Sequence, residues 1–275
     1  MSKIVLLGAG WLGEPLAHQL QPTGYQVQCS TTRAEKADRL QAAGLATTVL
    51  QVTPAGITGP VGDFFAADIL ILTLPPGGRS NPAVATDYPA KIRHIIAAAQ
   101  AGNIQHVVFT SSTGVYGDAD GWVNEDTALR PDTPSGQALQ VVEQELRAAF
   151  GERLTILRLA GLAGGDRQPG RWFAGREHLP EGQVGINLVH RSDVIRIIEH
   201  LLANQHWGLL LNVCADAHPT KAVFYPAAAR ALGLEPPTFA PSEAIPTGKL
   251  VDNTRSKKTL DFTYTYPDPL GFPVA

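Results

Sequence analysis

With 275 residues, 44 % of them hydrophobic, the chain is long enough for one large core or a core with a smaller lobe. A net charge of −3 with both signs scattered excludes an electrostatic footprint for nucleic acid, and no run nears the roughly 20 apolar residues that cross a membrane. Two distant cysteines, Cys29 and Cys214, point to a reducing cytoplasm, and eight dispersed histidines without an HxxxH or HExxH pair point to no metal site.

Ile4 to Leu7 reads as the first strand, not as a signal peptide. It runs straight into Gly8-x-Gly10-x-x-Gly13, and a helical run from Glu14 to Leu20 follows. Strand, glycine turn and helix in that order predict a dinucleotide-binding βα turn. Gly8 lets the chain turn tightly, Gly10 removes a side chain where a pyrophosphate approaches the backbone, and Gly13 lets the helix sit close on the strand. The helix N-terminus then offers its N–H groups and partial positive charge to the phosphates. Trp11 and Leu12 complete this cofactor-binding turn. The alternative is a tight turn that binds nothing.

The second strand is predicted over Tyr25 to Ser30, with a helix from Ala34 to Ala43. A carboxylate at the end of this strand favours NAD, whereas an arginine accommodates the extra phosphate of NADP. Here the chain reads Cys29-Ser30-Thr31-Thr32-Arg33, with no carboxylate until Glu35. Arg33 offers a bidentate fork, and Ser30, Thr31 and Thr32 offer hydroxyls, so the expected cofactor is NADP, with NAD as the alternative. If Arg33 is merely a solvated residue at a helix start, that preference has no basis.

Further on, Thr47 to Val52 is the expected third strand and Thr53 to Ala67 a short, largely irregular crossover. Asp68 to Thr73 is a continuous apolar run, as in a central parallel strand, broken at Pro75–Gly78; Leu74 and Pro75 are placed on the cofactor. A helix over Val84 to Ala101, a strand over His106 to Ser111, a helix over Ser135 to Phe150 and a strand over Leu154 to Leu159 continue the alternation. Ala160 to Gly185 reads as loops. Then come a helix (Ser192 to Ala203), a strand (Leu209 to Val213), a helix (Lys221 to Leu232) and an irregular, proline-rich end around a short helix at Thr254 to Leu260. The pattern predicts an α/β fold, a Rossmann-type doubly wound parallel sheet with a smaller C-terminal substrate lobe. Residues 1–160 would form the dinucleotide-binding core and 161–275 the lobe, with segments returning to the core in one compact unit.

The segment Val107-Val-Phe-Thr-Ser-Ser-Thr-Gly-Val-Tyr-Gly-Asp118 should hold the chemistry. With the N-terminal turn it resembles the extended short-chain dehydrogenase/reductase family, the NAD-dependent epimerases and dehydratases of nucleotide sugars. Asn124-Glu125-Asp126 with Pro131, Ile156-Leu-Arg-Leu-Ala-Gly161, Asn187-Leu-Val-His-Arg-Ser-Asp-Val194 and Leu211-Asn-Val213 resemble later segments of the family, so the likeness runs over about residues 3 to 262. The resemblance implies that Ser112 bonds the reacting oxygen, that Ser111 beside it lies on the cofactor, and that Tyr116 is mostly structural or lines the substrate pocket, with a catalytic role as the alternative. It also implies a small-molecule substrate, with nucleotide sugars the family's class, and a homodimer through the helices near residues 84–101 and 135–150.

One departure limits what carries over. The family's acid/base is a Tyr four residues before a Lys whose ammonium lowers the phenol's pKa from about 10. Here Ser135 stands for the Tyr and Leu139 for the Lys, and neither residue type occurs from Gly117 to Thr220. Leu7 replaces the first family glycine as well. Both departures resemble the atypical branch that includes the YeeZ-like proteins. His190 would titrate near neutrality, and Arg158, Arg171 and Arg191 are candidates for an anionic substrate; for all four a structural role is the competing explanation. Glu125 and Asp126 are expected to tie down a loop. Two functions remain open: an atypical NADP-dependent oxidoreductase or epimerase on a sugar-like or small carbonyl/alcohol substrate, and a non-catalytic NADP(H)-binding redox sensor or regulatory protein.

Overall fold

The structure is a computed structural model that describes residues 2–77, 81–241 and 247–274. Gly78, the last residue of the expected Pro75–Gly78 break, lies outside them. The chain opens with β1 (Lys3–Leu7), α1 (Gly13–Leu20), β2 (Gln26–Thr31), α2 (Ala34–Ala42) and β3 (Ala46–Val49). Next come β4 (Gln51–Thr53), β5 (Gly56–Thr58), α3 (Val61–Phe65), β6 (Ile69–Leu72), α4 (Val84–Ala101) and β7 (His106–Ser112). The rest comprises β8 (Gly121–Val123), α5 (Pro134–Phe150), β9 (Leu154–Leu159), β10 (Gly161–Ala163), β11 (Leu188–His190), α6 (Arg191–Ala203), β12 (Leu210–Val213), α7 (Lys221–Ala231), β13 (Lys249–Val251) and α8 (Thr254–Leu260).

A seven-stranded sheet in the order β12-β9-β7-β6-β1-β2-β3 organises the fold. Val5 pairs with Gln28 of β2 on one side and with Leu70 of β6 on the other, and β3, β2, β1, β6 and β7 all run parallel. Ile4 to Leu7 and all of β6 are buried, which is why these strands read as unbroken apolar runs. The chain builds outward from β1 to β3, then crosses back to β6. The order therefore reverses at β1, and the crevice beyond the carboxyl ends of β1 and β6 is the switch point where doubly wound sheets bind ligands.

Two stretches differ from the sequence expectation. The third strand ends at Val49: the Leu50 amide still donates to Thr31 O of β2 (2.9 Å), and the chain then leaves the sheet. The crossover is not irregular: β4 and β5 form an antiparallel hairpin, and α3 buries Phe64 and Phe65. Likewise the expected loop after residue 160 holds β10, paired in parallel with β11.

The chain divides into two compact units. The first is Met1–Val115, Pro131–Leu157 and Ile198–Leu210; the second is Tyr116–Arg130, Arg158–Ile197 and Leu211–Ala275. The Gly8–Gly13 turn, the ends of β2, β6 and β7, and α5 all belong to the first. Its α5 starts where Thr133 caps the helix by accepting from the Gly136 amide (3.1 Å) and Pro134 supplies a pre-set first turn.

Candidate functional site

β1 leaves the sheet at Gly8, whose φ of +108° is open to glycine and strained for other residues. The turn is clamped from two neighbouring strands. The Thr73 hydroxyl, just past β6, donates to Gly8 O (2.9 Å), and on β2 Ser30 Oγ accepts from the Gly8 amide (3.1 Å) while Ser30 O accepts from Ala9 (2.7 Å). Gly13 lies so close that a Cβ would sit 2.1 Å from Gly8 O and 2.7 Å from Leu6 Cδ2. Gly10 is the opposite case: a Cβ there would meet only Gly8 O, at 3.9 Å. The packing needs Gly13 bare, whereas the space over Gly10 is free. Open space above an exposed backbone at the start of a helix is what a pyrophosphate requires.

The end of α1 suits an anion for a second reason. Leu12, its N-cap, supplies no side-chain hydrogen bond; the Glu14 amide donates to Gly10 O (3.0 Å) and Pro15 has no N–H, so what the helix offers here is the positive end of its dipole. Glu14 in the first turn is neutralised by α2: Lys36 Nζ lies 2.8 Å and Arg39 Nη2 2.9 Å from its oxygens. Burial raises the Glu14 carboxyl, but the hydrogen bonds from Lys36 and Arg39 outweigh it and leave it below its ordinary range. A dinucleotide therefore fits the residues present, and the Gly8–Gly13 turn is what would hold it.

Of the four hydroxyl and guanidinium groups expected to face a ribose phosphate, two are turned inward. Ser30 is buried against the turn, and Thr31, also buried, accepts from the Arg33 amide (3.4 Å). Thr32 and Arg33 are exposed, with Arg33 at the N-cap of α2. Beside them Cys29 is buried, its thiol pushed up to about 12 by burial, and thus inert.

At the end of β6, Leu74 is half-buried and its carbonyl accepts from the Tyr88 hydroxyl (2.7 Å), while Pro75 is exposed. Complete burial of Tyr88 pushes its phenol far above the usual range, so it anchors α4 and offers no acid. At the end of β7, Ser112 is half-buried and its Oγ accepts from the Gly114 amide (3.1 Å), which leaves its own proton to donate to a ligand. Ser111 points the other way, into the core, and donates to Glu143 Oε1 of α5 (2.6 Å). Only 3 % of Glu143 is exposed.

α5 keeps the frame of the family motif without its chemistry. A Cβ on Gly136 would lie 2.9 Å from Gly114 O, so this glycine lets the helix start press against the turn after β7. The residue before it, Ser135, is half-buried, and Leu139 is 4 % exposed where the motif carries an ammonium. The buried face runs Leu139, Val142, Glu143, Leu146, Phe150.

The other candidates lie in the second unit. Tyr116 is 1 % exposed, its hydroxyl donates to Asn212 Oδ1 (2.7 Å) and accepts from Arg158 Nη1 (3.0 Å), and the Arg158 guanidinium stacks 5.1 Å from its ring. Burial raises its pKa, with Arg158 opposing. Of the readings for Tyr116 the structural one fits this geometry and the catalytic alternative is corrected: it is a core anchor, and Arg158 is its structural partner. Glu125 accepts from the Asn212 amide (2.6 Å) and Asp126 from Arg255 (2.5 Å), fastening their loop. His190 is buried between Tyr266 and Phe272, with Nδ1 2.7 Å from Ser192 Oγ, and burial lowers its pKa so that the ring is neutral at pH 7. The Arg191 guanidinium covers Gly165, and Arg171 is exposed.

Sequence reading missed Thr73, Ser30 as a clamp, Tyr88 and Glu143. Glu143 was within reach: Leu139, Glu143, Leu146 and Phe150 follow the helical period along one face. Among the described residues no group of His, Cys, Asp and Glu could hold a metal ion, and no helix is long and apolar enough to cross a membrane.

A family described as NAD(P)H-binding matches residues 8–205. The chain is 42 % identical over 276 aligned positions to protein YeeZ of Escherichia coli K12, with both chains covered in full. A functionally unknown conserved protein from Silicibacter pomeroyi superposes with a TM-score of 0.77 at 24 % identity, covering 98 % of this chain and 96 % of that one. A UDP-glucuronic acid 4-epimerase from Bacillus cereus, in complex with NAD, gives 0.77 at 18 % identity over 98 % and 96 %. At these identities the structural likeness shows the fold.

Proposed function

The chain belongs to the NAD(P)H-binding family, and from that premise we propose that it is an atypical NADP(H)-dependent oxidoreductase acting on a small carbonyl or alcohol substrate. One observation carries the reading: free space over Gly10 at the uncapped end of α1, with Thr32 and Arg33 exposed at the end of β2. The Gly8–Gly13 turn would hold the pyrophosphate and Arg33 the ribose phosphate. The nicotinamide would supply or take a hydride. Ser112 would donate a hydrogen bond to the substrate oxygen, and water would exchange the proton that the missing Tyr and Lys do not handle. Nucleotide sugars are one substrate class to test, since an epimerase named for UDP-glucuronic acid shares the fold. Both cysteines are free and buried, which suits a reducing compartment.

Replacing Arg33 by alanine tests the cofactor assignment. Loss of a charge-assisted contact to phosphate should weaken NADPH binding about tenfold and leave NADH binding unchanged. Equal effects on both, measured by fluorescence titration, would reject Arg33 as the phosphate ligand.

A second reading is favoured by Leu139, a buried apolar side chain where the ammonium belongs. On that reading the protein binds NADP(H) as a redox sensor without turnover. It predicts different affinities for the oxidised and reduced cofactor and no hydride transfer. Steady turnover that is lost in Ser112→Ala would sink it.

A further inference from the structure

We propose that Lys36 is a second cation that reads the ribose phosphate of NADP(H), held for that task by Glu14. The inference rests on the cofactor reading above and names a specificity-determining residue within the same site. Lys36 lies in the first turn of α2, three positions after Arg33, the extended N-cap residue of that helix. Arg33 stands at the carboxyl end of β2, where a doubly wound fold receives the adenosine ribose.

What fixes the Lys36 head is Glu14. Its ammonium lies 2.8 Å from Glu14 Oε2 in the first turn of α1, directly after the glycine turn, and only 16 % of the lysine side chain is exposed. The ammonium is thus held at the first turn of α1, the helix that follows the glycine turn. Its influence on the Cys29 thiol, opposing burial and Glu14, agrees with a position beside β2. An ammonium has three donors, and the bond to Glu14 uses one of them. A buried stem and an anchored head also mean that little side-chain freedom is lost when a phosphate arrives.

The carboxylate itself needs explaining. A bare anion in the first turn of α1 would repel phosphates from the place built to receive them. With Lys36 and Arg39 both bonded to Glu14, the trio carries one net positive charge instead. A salt bridge that merely joined α1 to α2 would need only one cation, and Arg39, which is 59 % exposed, already supplies it. The more enclosed Lys36 is then available to the ligand.

Calorimetric titration of NADPH and NADH into the wild type and into Lys36→Ala, Lys36→Arg and Arg39→Ala tests this, with a melting temperature for each. The expected result is a loss of about tenfold in NADPH affinity for Lys36→Ala, with NADH affinity unchanged, as befits one charge-assisted phosphate contact. Lys36→Arg should restore most of it, while Arg39→Ala, which removes one charge of the trio around Glu14, should weaken NADPH and NADH by the same small factor. If Lys36→Ala melts early, Lys36→Gln keeps the stem and a donor to Glu14 and should show the same selective loss. Parallel weakening of both cofactors by Lys36→Ala, no weakening of either, or an equally selective loss in Arg39→Ala would overturn the assignment. A wild type that binds no dinucleotide, or prefers NADH, would instead defeat the cofactor reading, and this inference with it.

Discussion

Gly13→Ala is expected to break the nucleotide turn outright. The added carbon would lie 2.1 Å from Gly8 O and 2.7 Å from Leu6 Cδ2. Neither can yield cheaply. Gly8 O is held by the Thr73 hydroxyl, and the next amide, Ala9, is bonded to Ser30 O; Leu6 is fully buried in the central strand. Relief requires α1 to move off β1, which opens the core at Leu16 and Ala17. Overpacking of this kind costs typically 1–3 kcal/mol and occasionally more, and the contact with fixed backbone puts this variant near about 3 kcal/mol. For a chain of this size that is a fall of roughly 10 °C in melting temperature. A thermal scan within 2 °C of the wild type, about 1 kcal/mol or less on the same scale, would show that the turn is looser than the geometry says.

Gly10→Ala should do the reverse. Its Cβ has only Gly8 O near it, at 3.9 Å, and Gly10 is not among the residues of positive φ. Stability should stay level or rise by less than about 1 kcal/mol, the usual gain from restricting a glycine in the unfolded chain. The methyl group, however, fills the space over the backbone at the start of α1. Two charge-assisted hydrogen bonds to a pyrophosphate, at about 1.5 kcal/mol or more each, would be lost, which amounts to about a hundredfold in affinity. Circular dichroism and a fluorescence titration check both halves. A folded variant that binds NADPH like the wild type would remove Gly10 from the site. The two substitutions together separate what the glycine spacing does for the fold from what it does for a ligand.

That spacing was legible in the sequence because each of its glycines answers a local demand: a left-handed turn, a free approach and a close contact. The central strands β1 and β6 were legible too, since burial on both faces leaves an unbroken apolar signature. Helices α4 and α8 fall on the expected residues, bounded by Gly102 and by the αL residue Asp261. The β4–β5 hairpin was hidden because its strands are three residues each and its turn, Pro54-Ala55, sits in a run rich in Gly and Pro. Such strands have no period to detect.

The site was less legible than the fold, because a side chain's direction at a strand end depends on partners distant in the chain. Ser30 and Thr31 looked available beside Arg33, but strand alternation and the Gly8 amide turn Ser30 inward. Ser111 and Ser112 are adjacent and chemically alike, yet one bonds Glu143 in the core and the other keeps its proton free to donate. Tyr116 was readable as structural, pocket-lining or catalytic, and what separates these, Asn212 and Arg158 taking up its hydroxyl, lies 96 and 42 residues away. The loss of the Tyr and Lys needed no structure to be seen. What the structure adds is that Leu139 is buried in the helix face, so no small shift of a side chain brings a cation back.

The claim that the first unit is an NADP(H) site is tested most directly by calorimetric titration of the wild-type protein with NADPH, NADP, NADH and NAD in parallel. The account predicts that both phosphorylated forms bind, and bind more tightly than their unphosphorylated counterparts. Absence of heat with all four, or tighter binding of NADH and NAD, would contradict it.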